Sequence, residues 1–127
     1  AEALALHPQA EVIVLGGRLC KAHRVAVGAA TVDAVRAIHA HLFLLGVCGL
    51  HPEAGVTADG YEEARVKRAM LDGAAETVAL VSGEKLGTAD RYRVAPATAI
   101  ACLVTEQDAP AALVDPFARL GLRVVRA

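Results

Sequence analysis

Short apolar runs alternate with segments of helical spacing along most of this chain. Five apolar runs predict strands, at residues 11–15, 42–47, 77–82, 100–104 and 122–125. Between several of them, apolar residues recur every three or four positions and predict helices at residues 31–40, 60–75 and 110–120. This alternation favours an α/β fold with a mainly parallel sheet and flanking helices.

Local signals set the boundaries of these elements. Residues 1–6 predict the end of a helix that stops near His7 and Pro8. Asp59 predicts an N-cap for the second helix, because Glu62 three positions later would complete a capping box. Residues 51–60 and 83–98 predict loops. The uninterrupted apolar run at residues 42–47 is typical of a parallel strand that is covered on both faces.

Composition narrows the classes of function. The 127 residues are enough for one domain with a core, and no apolar run reaches the ~18 residues of a membrane helix. The net charge is −1 and no long basic run occurs, so the electrostatic footprint of a nucleic-acid binder is missing. The chain has an odd number of cysteines and no CxxC spacing, which predicts reduced and mostly buried thiols in a cytoplasmic protein. The three cysteines are Cys20, Cys48 and Cys102.

Lys85 is the strongest candidate for binding an anion. It follows the apolar run that ends near Ser82, and it stands on a loop flanked by Gly83 and Gly87. In open α/β sheets ligands bind at the carboxyl ends of the strands. Gly16 and Gly17, after the first apolar run, could let the backbone approach a phosphate, or could serve only to end a strand.

Other chemistry has weaker support. His39, His41 and His51 surround one apolar run, but no Cys or carboxylate stands at ligand spacing beside them, so no metal or other cofactor is expected. Glu63 could act as a general base, although a position near a helix start already explains an acid there. Ser82 is the sole serine and lies in no G-x-S-x-G motif, which argues against a hydrolase.

A series of segments resembles the carboxy-terminal sensor domain of DeoR-type bacterial transcriptional regulators. The matching segments run in order through nearly the whole chain: residues 12–17 (VIVLGG), 27–28 (VG), 40–49 (AHLFLLGVCG), 55–57 (GVT), 63–70 (EARVKRAM), 80–87 (LVSGEKLG), 93–96 (RVAP) and 103–105 (LVT). Each segment is a weak signal alone, and the series together is fairly specific.

The resemblance implies a regulator rather than an enzyme. Residues 1–127 would form part of a sensor domain that binds a small-molecule effector, usually a phosphorylated sugar, and that forms homo-oligomers. DNA would be bound only by an amino-terminal helix-turn-helix domain absent from this chain, and no membrane contact is implied. The fold implied is related to that of sugar-phosphate isomerases.

The resemblance also implies a set of ligand-binding residues. Lys85 would pair with the anionic group of the effector, with Glu63 as a weaker candidate in the same cleft. The other members would supply close backbone approach or hydrogen bonds: Gly16, Gly17, Gly49, Gly87, His41 and Ser82. His41 and Ser82 stand where the family usually has acids, which favours binding over catalysis and an altered choice of ligand.

Two other interpretations remain open. One is a sugar-phosphate isomerase or related enzyme of the same fold, with Glu63 as base and Lys85 as electrophile. The other is a sensor that has lost its ligand and serves only for dimerisation.

Overall fold

The computed structural model describes residues 2–127, and the side chains from residue 3 onward. The elements in chain order are α1 (Glu2–Ala5), β1 (Arg18–Cys20), β2 (Val25–Val27), α2 (Ala29–Arg36), β3 (Ala40–Gly46), β4 (Gly49–His51), β5 (Gly55–Ala58), α3 (Tyr61–Asp72), β6 (Ala74–Leu80), β7 (Tyr92–Ala95), β8 (Cys102–Thr105), α4 (Ala111–Arg119) and β9 (Arg123–Arg126). Two short 3₁₀ turns occupy Gly83–Lys85 and Ala97–Ala99.

Four strands form a parallel sheet in the order β3-β6-β8-β9. The register places Leu44 opposite Val78, and Leu80 opposite Val104. Helix α3 precedes β6 and contacts both β3 and β6, while α4 connects β8 to β9. The predicted α/β fold with a mainly parallel sheet and flanking helices is therefore confirmed.

The core lies between one face of the parallel sheet, helix α4 and a smaller antiparallel sheet of order β4-β5-β7. Its fully buried side chains come from all three parts: Leu45, Leu103, Leu50, Val56, Val94 and Phe117. A second cluster of Val32, Val35, Val66 and Ala69 joins α2 to α3. These contacts fix α3 beside the carboxyl ends of β3 and β6.

The opposite face of the parallel sheet is exposed, so the prediction that residues 42–47 are covered on both faces is wrong for the described chain. We call this surface the open sheet face, and its exposed apolar side chains are Leu42 (51%), Leu44 (59%), Leu80 (47%) and Val125 (42%). Parallel sheets are usually covered on both faces. Large exposed apolar patches mark interaction surfaces or ligand-binding grooves.

The predicted strand at residues 11–15 is not formed. Ile13 and Val14 are 73% and 74% exposed, and within residues 2–127 no backbone hydrogen bond joins this segment to a strand. Leu15 packs instead against the cluster between α2 and α3. An apolar run becomes a strand only where a neighbouring strand pairs with its backbone, and no strand of residues 2–127 pairs with this segment.

Two hairpins fall where the sequence predicts none. β1 pairs with β2, and β4 pairs with β5, as antiparallel hairpins. β7, which pairs with β5, also lies within a segment predicted as a loop. These strands are only three or four residues long, and glycines and prolines surround them. Gly55 has a φ of +80°, and an added Cβ there would overlap the carbonyl oxygen of Ala95. The glycine at position 55, which reads as a loop signal, is therefore required by the close packing of β5 against β7.

Helix boundaries also differ from prediction. The capping box at Asp59 is wrong, since Gly60 is the N-cap of α3 and no described side chain caps it. The Asp59 carboxylate instead pairs with Arg91 at 3.1 Å. Helices α2 and α3 end four and three residues earlier than predicted, at Arg36 and Asp72. Within residues 2–127 no helix is both long and apolar enough to cross a membrane.

Candidate ligand-binding cleft

A cleft of about 810 Å³ opens at the carboxyl ends of β3 and β6. Gly46, Val47 and Cys48 line it where β3 ends, and Ser82 and Lys85 line it where β6 ends. Leu44 and Leu80 of the open sheet face also line it, and side chains from β3, the β1–β2 hairpin, α1, α2, α3 and residues 12–15 form the remaining walls. The parallel strand order creates this position, because both strands end at the same sheet edge.

Four polar side chains meet in the wall of the cleft, and we call them the polar cluster: His23, Cys48, Glu63 and Lys67. Lys67 Nζ lies 2.8 Å from Glu63 Oε1, one turn away on α3. Cys48 Sγ lies 3.6 Å from the same oxygen and 3.7 Å from Lys67 Nζ. His23 Nε2 lies 3.8 Å from the other carboxylate oxygen, Glu63 Oε2.

The charged pair at the centre of the polar cluster is buried. The side chains of Glu63 and Lys67 are only 6% and 12% exposed, whereas His23 lies at the exposed rim. Glu63 Oε2 is buried and accepts no hydrogen bond from the described residues. A buried carboxylate oxygen without a donor is costly, so this oxygen is a ready acceptor for a bound group.

Lys85 stands at the rim, in the 3₁₀ turn that follows β6. Its side chain is exposed, and within residues 2–127 it makes no ion pair. Ser82 begins the same turn, and its buried Oγ has no hydrogen-bond partner among the described residues. Among the residues that the structure describes, the cleft therefore has a positive charge without an ion-pair partner at its rim and polar atoms without hydrogen bonds in its wall.

The structure brings together only some of the predicted site residues. Lys85, Ser82 and Glu63 line the cleft. His41 is exposed near the amino end of β3, at the opposite end of the strand from the cleft. The four predicted glycines do not line the cleft: Gly16, Gly17, Gly49 and Gly87.

The glycines have local roles in packing and turns. The carbonyl of Gly16 accepts a 2.7 Å hydrogen bond from Thr31, and a Cβ on Gly17 would overlap that same hydroxyl. A Cβ on Gly49 would come within 2.8 Å of Thr57 Oγ1. Gly87 has a φ of +80°, and its N–H donates to the carbonyl of Leu50 at 2.7 Å.

Sequence reasoning missed three members of the polar cluster. The spacing of Glu63 and Lys67 marks a helical i,i+4 pair, which is usually an exposed pair that supports a helix. Its burial depends on the hairpin and on β3, which the sequence pattern does not place against α3. His23 and Cys48 carried no local signal, because each is brought to the cluster by long-range packing.

Comparisons with known proteins point in one direction. Residues 1–107 match the family model described as the DeoR C terminal sensor domain. The chain is also similar to the HTH-type transcriptional repressor GlcR of Bacillus subtilis (strain 168), with 32% identity over 115 residues. That match covers 91% of this chain and 44% of the repressor, so the chain spans less than half the length of its relative.

Proposed function

Because this chain belongs to the family of DeoR C-terminal sensor domains, we propose that its cleft binds a phosphorylated sugar or a related metabolite as the effector of a transcriptional regulator. The family is one of regulator sensor domains rather than enzymes. The nature of the effector rests on the chemistry of the cleft.

The proposal rests on the charge and position of Lys85. An exposed ammonium without a described carboxylate partner, at the carboxyl edge of a parallel sheet, is a binding group for a phosphate. Lys85 stands in the turn after β6. Because its ammonium makes no ion pair within residues 2–127, a ligand can bind it without breaking one. We assign the phosphate to this end of the cleft.

The sugar hydroxyls would lie toward the polar cluster. Glu63 Oε2 and Ser82 Oγ have no hydrogen-bond partner among the described residues of the wall, and His23 offers a ring nitrogen at the rim. Val47, Val66 and Met70 supply apolar surface between them. A few polar groups on apolar walls are typical of a small-molecule site.

Binding alone does not make a sensor. The effector must favour one arrangement of the domain over another, and that difference must reach the DNA-binding part. We propose that residues 1–127 are part of a sensor domain in a longer protein, in which a separate helix-turn-helix domain binds DNA. The 44% coverage of a relative named as an HTH-type repressor and the net charge of −1 support this division.

The open sheet face supports the same division. Leu42, Leu44 and Leu80 form an apolar surface that a parallel sheet normally buries. We propose that the remainder of the sensor domain covers it. Homo-oligomerisation, which we also propose, would then use a different surface of the complete protein.

Calorimetric titration with matched sugars tests this function. A phosphorylated sugar should bind, and the same sugar without phosphate should bind much more weakly or not at all. Equal binding of both forms would contradict a role for phosphate. An aldose–ketose assay on the same protein tests the isomerase alternative, for which Glu63 would have to act as base although its Oε1 already holds Lys67.

A further inference from the structure

The polar cluster contains three side chains that are common metal ligands. His23, Cys48 and Glu63 each direct one ligand atom into the same space, and these atoms all lie within 4.8 Å of one another. The residues come from three separate parts of the fold: the turn between β1 and β2, the end of β3, and α3. Such convergence of imidazole, thiol and carboxylate is the donor set that zinc prefers.

The three ligand atoms lie within 4.8 Å of one another, and the separations of 3.6 and 3.8 Å reach the two different oxygens of the same carboxylate. Donor atoms at ordinary zinc distances lie about 3.3–3.6 Å from each other. Cys48 Sγ is 3.6 Å from Glu63 Oε1, and His23 Nε2 is 3.8 Å from Glu63 Oε2. Small side-chain movements would bring all three donors onto one ion.

Glu63 supplies an independent sign of a missing partner. Glu63 is 5% exposed as a whole residue. Its Oε2 accepts no hydrogen bond from the described residues, although His23 Nε2 lies 3.8 Å away. Lys67 binds the other oxygen, Oε1, at 2.8 Å. The carboxylate could therefore give Oε2 to a cation while Lys67 orients it from behind, as outer partners of metal ligands do.

We propose that His23, Cys48 and Glu63 bind a divalent cation of the zinc class, with a fourth position open to the cleft. Three protein ligands and one open position distinguish exchangeable sites from closed structural ones. The Cys48 thiol binds as thiolate, so its proton passes to solvent and one proton is released for each ion bound. Lys67 adds a positive charge beside the ion and compensates the anionic ligands when no ion is bound.

Cobalt titration of the purified protein tests the site, because Co²⁺ bound by a thiolate gives a near-ultraviolet charge-transfer absorption. We expect one Co²⁺ for each chain, loss of the absorption on adding Zn²⁺, and release of one proton. Cys48→Ser should abolish the absorption, while Cys20→Ser, a matched change at another partly buried thiol, should leave it intact. Absence of the band in the parent, or its survival in Cys48→Ser, would overturn the proposal.

The other two ligands provide a second test. His23→Ala and Glu63→Gln should each weaken Co²⁺ binding by more than about 100-fold, since even outer-shell changes cost 10–100-fold. Glu62→Gln, one residue away and paired with Arg18 at 3.6 Å, should leave affinity unchanged. Circular dichroism shows whether each variant folds. If Glu63→Gln does not fold, His23→Ala still tests the site, because His23 lies at the exposed rim. Unchanged affinity in a folded His23→Ala would overturn the three-ligand site, whatever the outcome with sugar phosphates.

Discussion

The ammonium of Lys67 lies 2.8 Å from the carboxylate of Glu63, four residues earlier on α3, and the two side chains are 12% and 6% exposed. A buried pair of this kind resists the loss of one partner, because the remaining charge is left without compensation. The pair also holds the carboxylate with its second oxygen, Oε2, 3.8 Å from His23 Nε2.

Lys67→Met should therefore destabilise the protein by about 3–5 kcal/mol, measured as the free energy of urea unfolding. The double change Lys67→Met with Glu63→Gln should recover much of that loss, because it removes both charges. Glu62→Gln is the control: it removes only an exposed pair and should change stability by no more than about 0.5 kcal/mol. Equal effects of Lys67→Met and Glu62→Gln would contradict a buried, mutually dependent pair.

Gly16 and Gly17 allow a matched test of two roles for a glycine: close packing within the fold, and approach of the backbone to a ligand. Gly17 has a φ of +144°, and an added Cβ would overlap the Thr31 hydroxyl, whereas no described atom lies within 4 Å of a Cβ on Gly16. Gly17→Ala should cost about 1–3 kcal/mol in urea unfolding, and Gly16→Ala much less. If Gly16→Ala instead removes effector binding in a stable protein, this glycine belongs to the site as the resemblance implies.

The open sheet face leads to a third prediction. The isolated chain should bind a fluorescent hydrophobic dye at this surface, and Leu44→Lys should reduce the fluorescence with little change in stability, since Leu44 is already 59% exposed. Leu120→Lys, at the end of α4 and 40% exposed, is the control and should leave the fluorescence unchanged. A longer protein that includes the proposed remainder should bind little dye. Strong dye binding by that longer protein would contradict coverage of this face.

Several elements could be predicted because their signals are local. The strands β3, β6, β8 and β9 each contain a short apolar run, and these runs predict the strands within about three residues of their observed bounds. The same kind of run at residues 11–15 gave a wrong strand, because pairing depends on a neighbour that the sequence pattern does not reveal. Short strands such as β5 were missed, since glycine and proline dominate their surroundings.

The sequence predicts only part of the candidate site. Lys85 and Ser82 could be found because they follow directly on β6, and the carboxyl edge of a sheet is a general ligand position. His41 was placed in the site by resemblance, yet it lies at the other end of β3. The meeting of His23 and Cys48 with Glu63 depends on how the hairpin and β3 pack against α3, which only the folded chain reveals.

The central claim is that Lys85 binds the phosphate of the effector, and a thermal-shift panel of sugar phosphates tests it most directly. At 100 times the Kd a ligand stabilises the folded state by about 2.7 kcal/mol, which raises Tm by several degrees. Lys85→Ala should leave the Tm of the free protein unchanged, because Lys85 is exposed and makes no ion pair within residues 2–127, and it should abolish the ligand-induced rise. Lys21→Ala, a change at an exposed lysine outside the cleft, should preserve that rise. A rise that persists in Lys85→Ala, or a panel in which no sugar phosphate shifts the parent protein, would contradict the account.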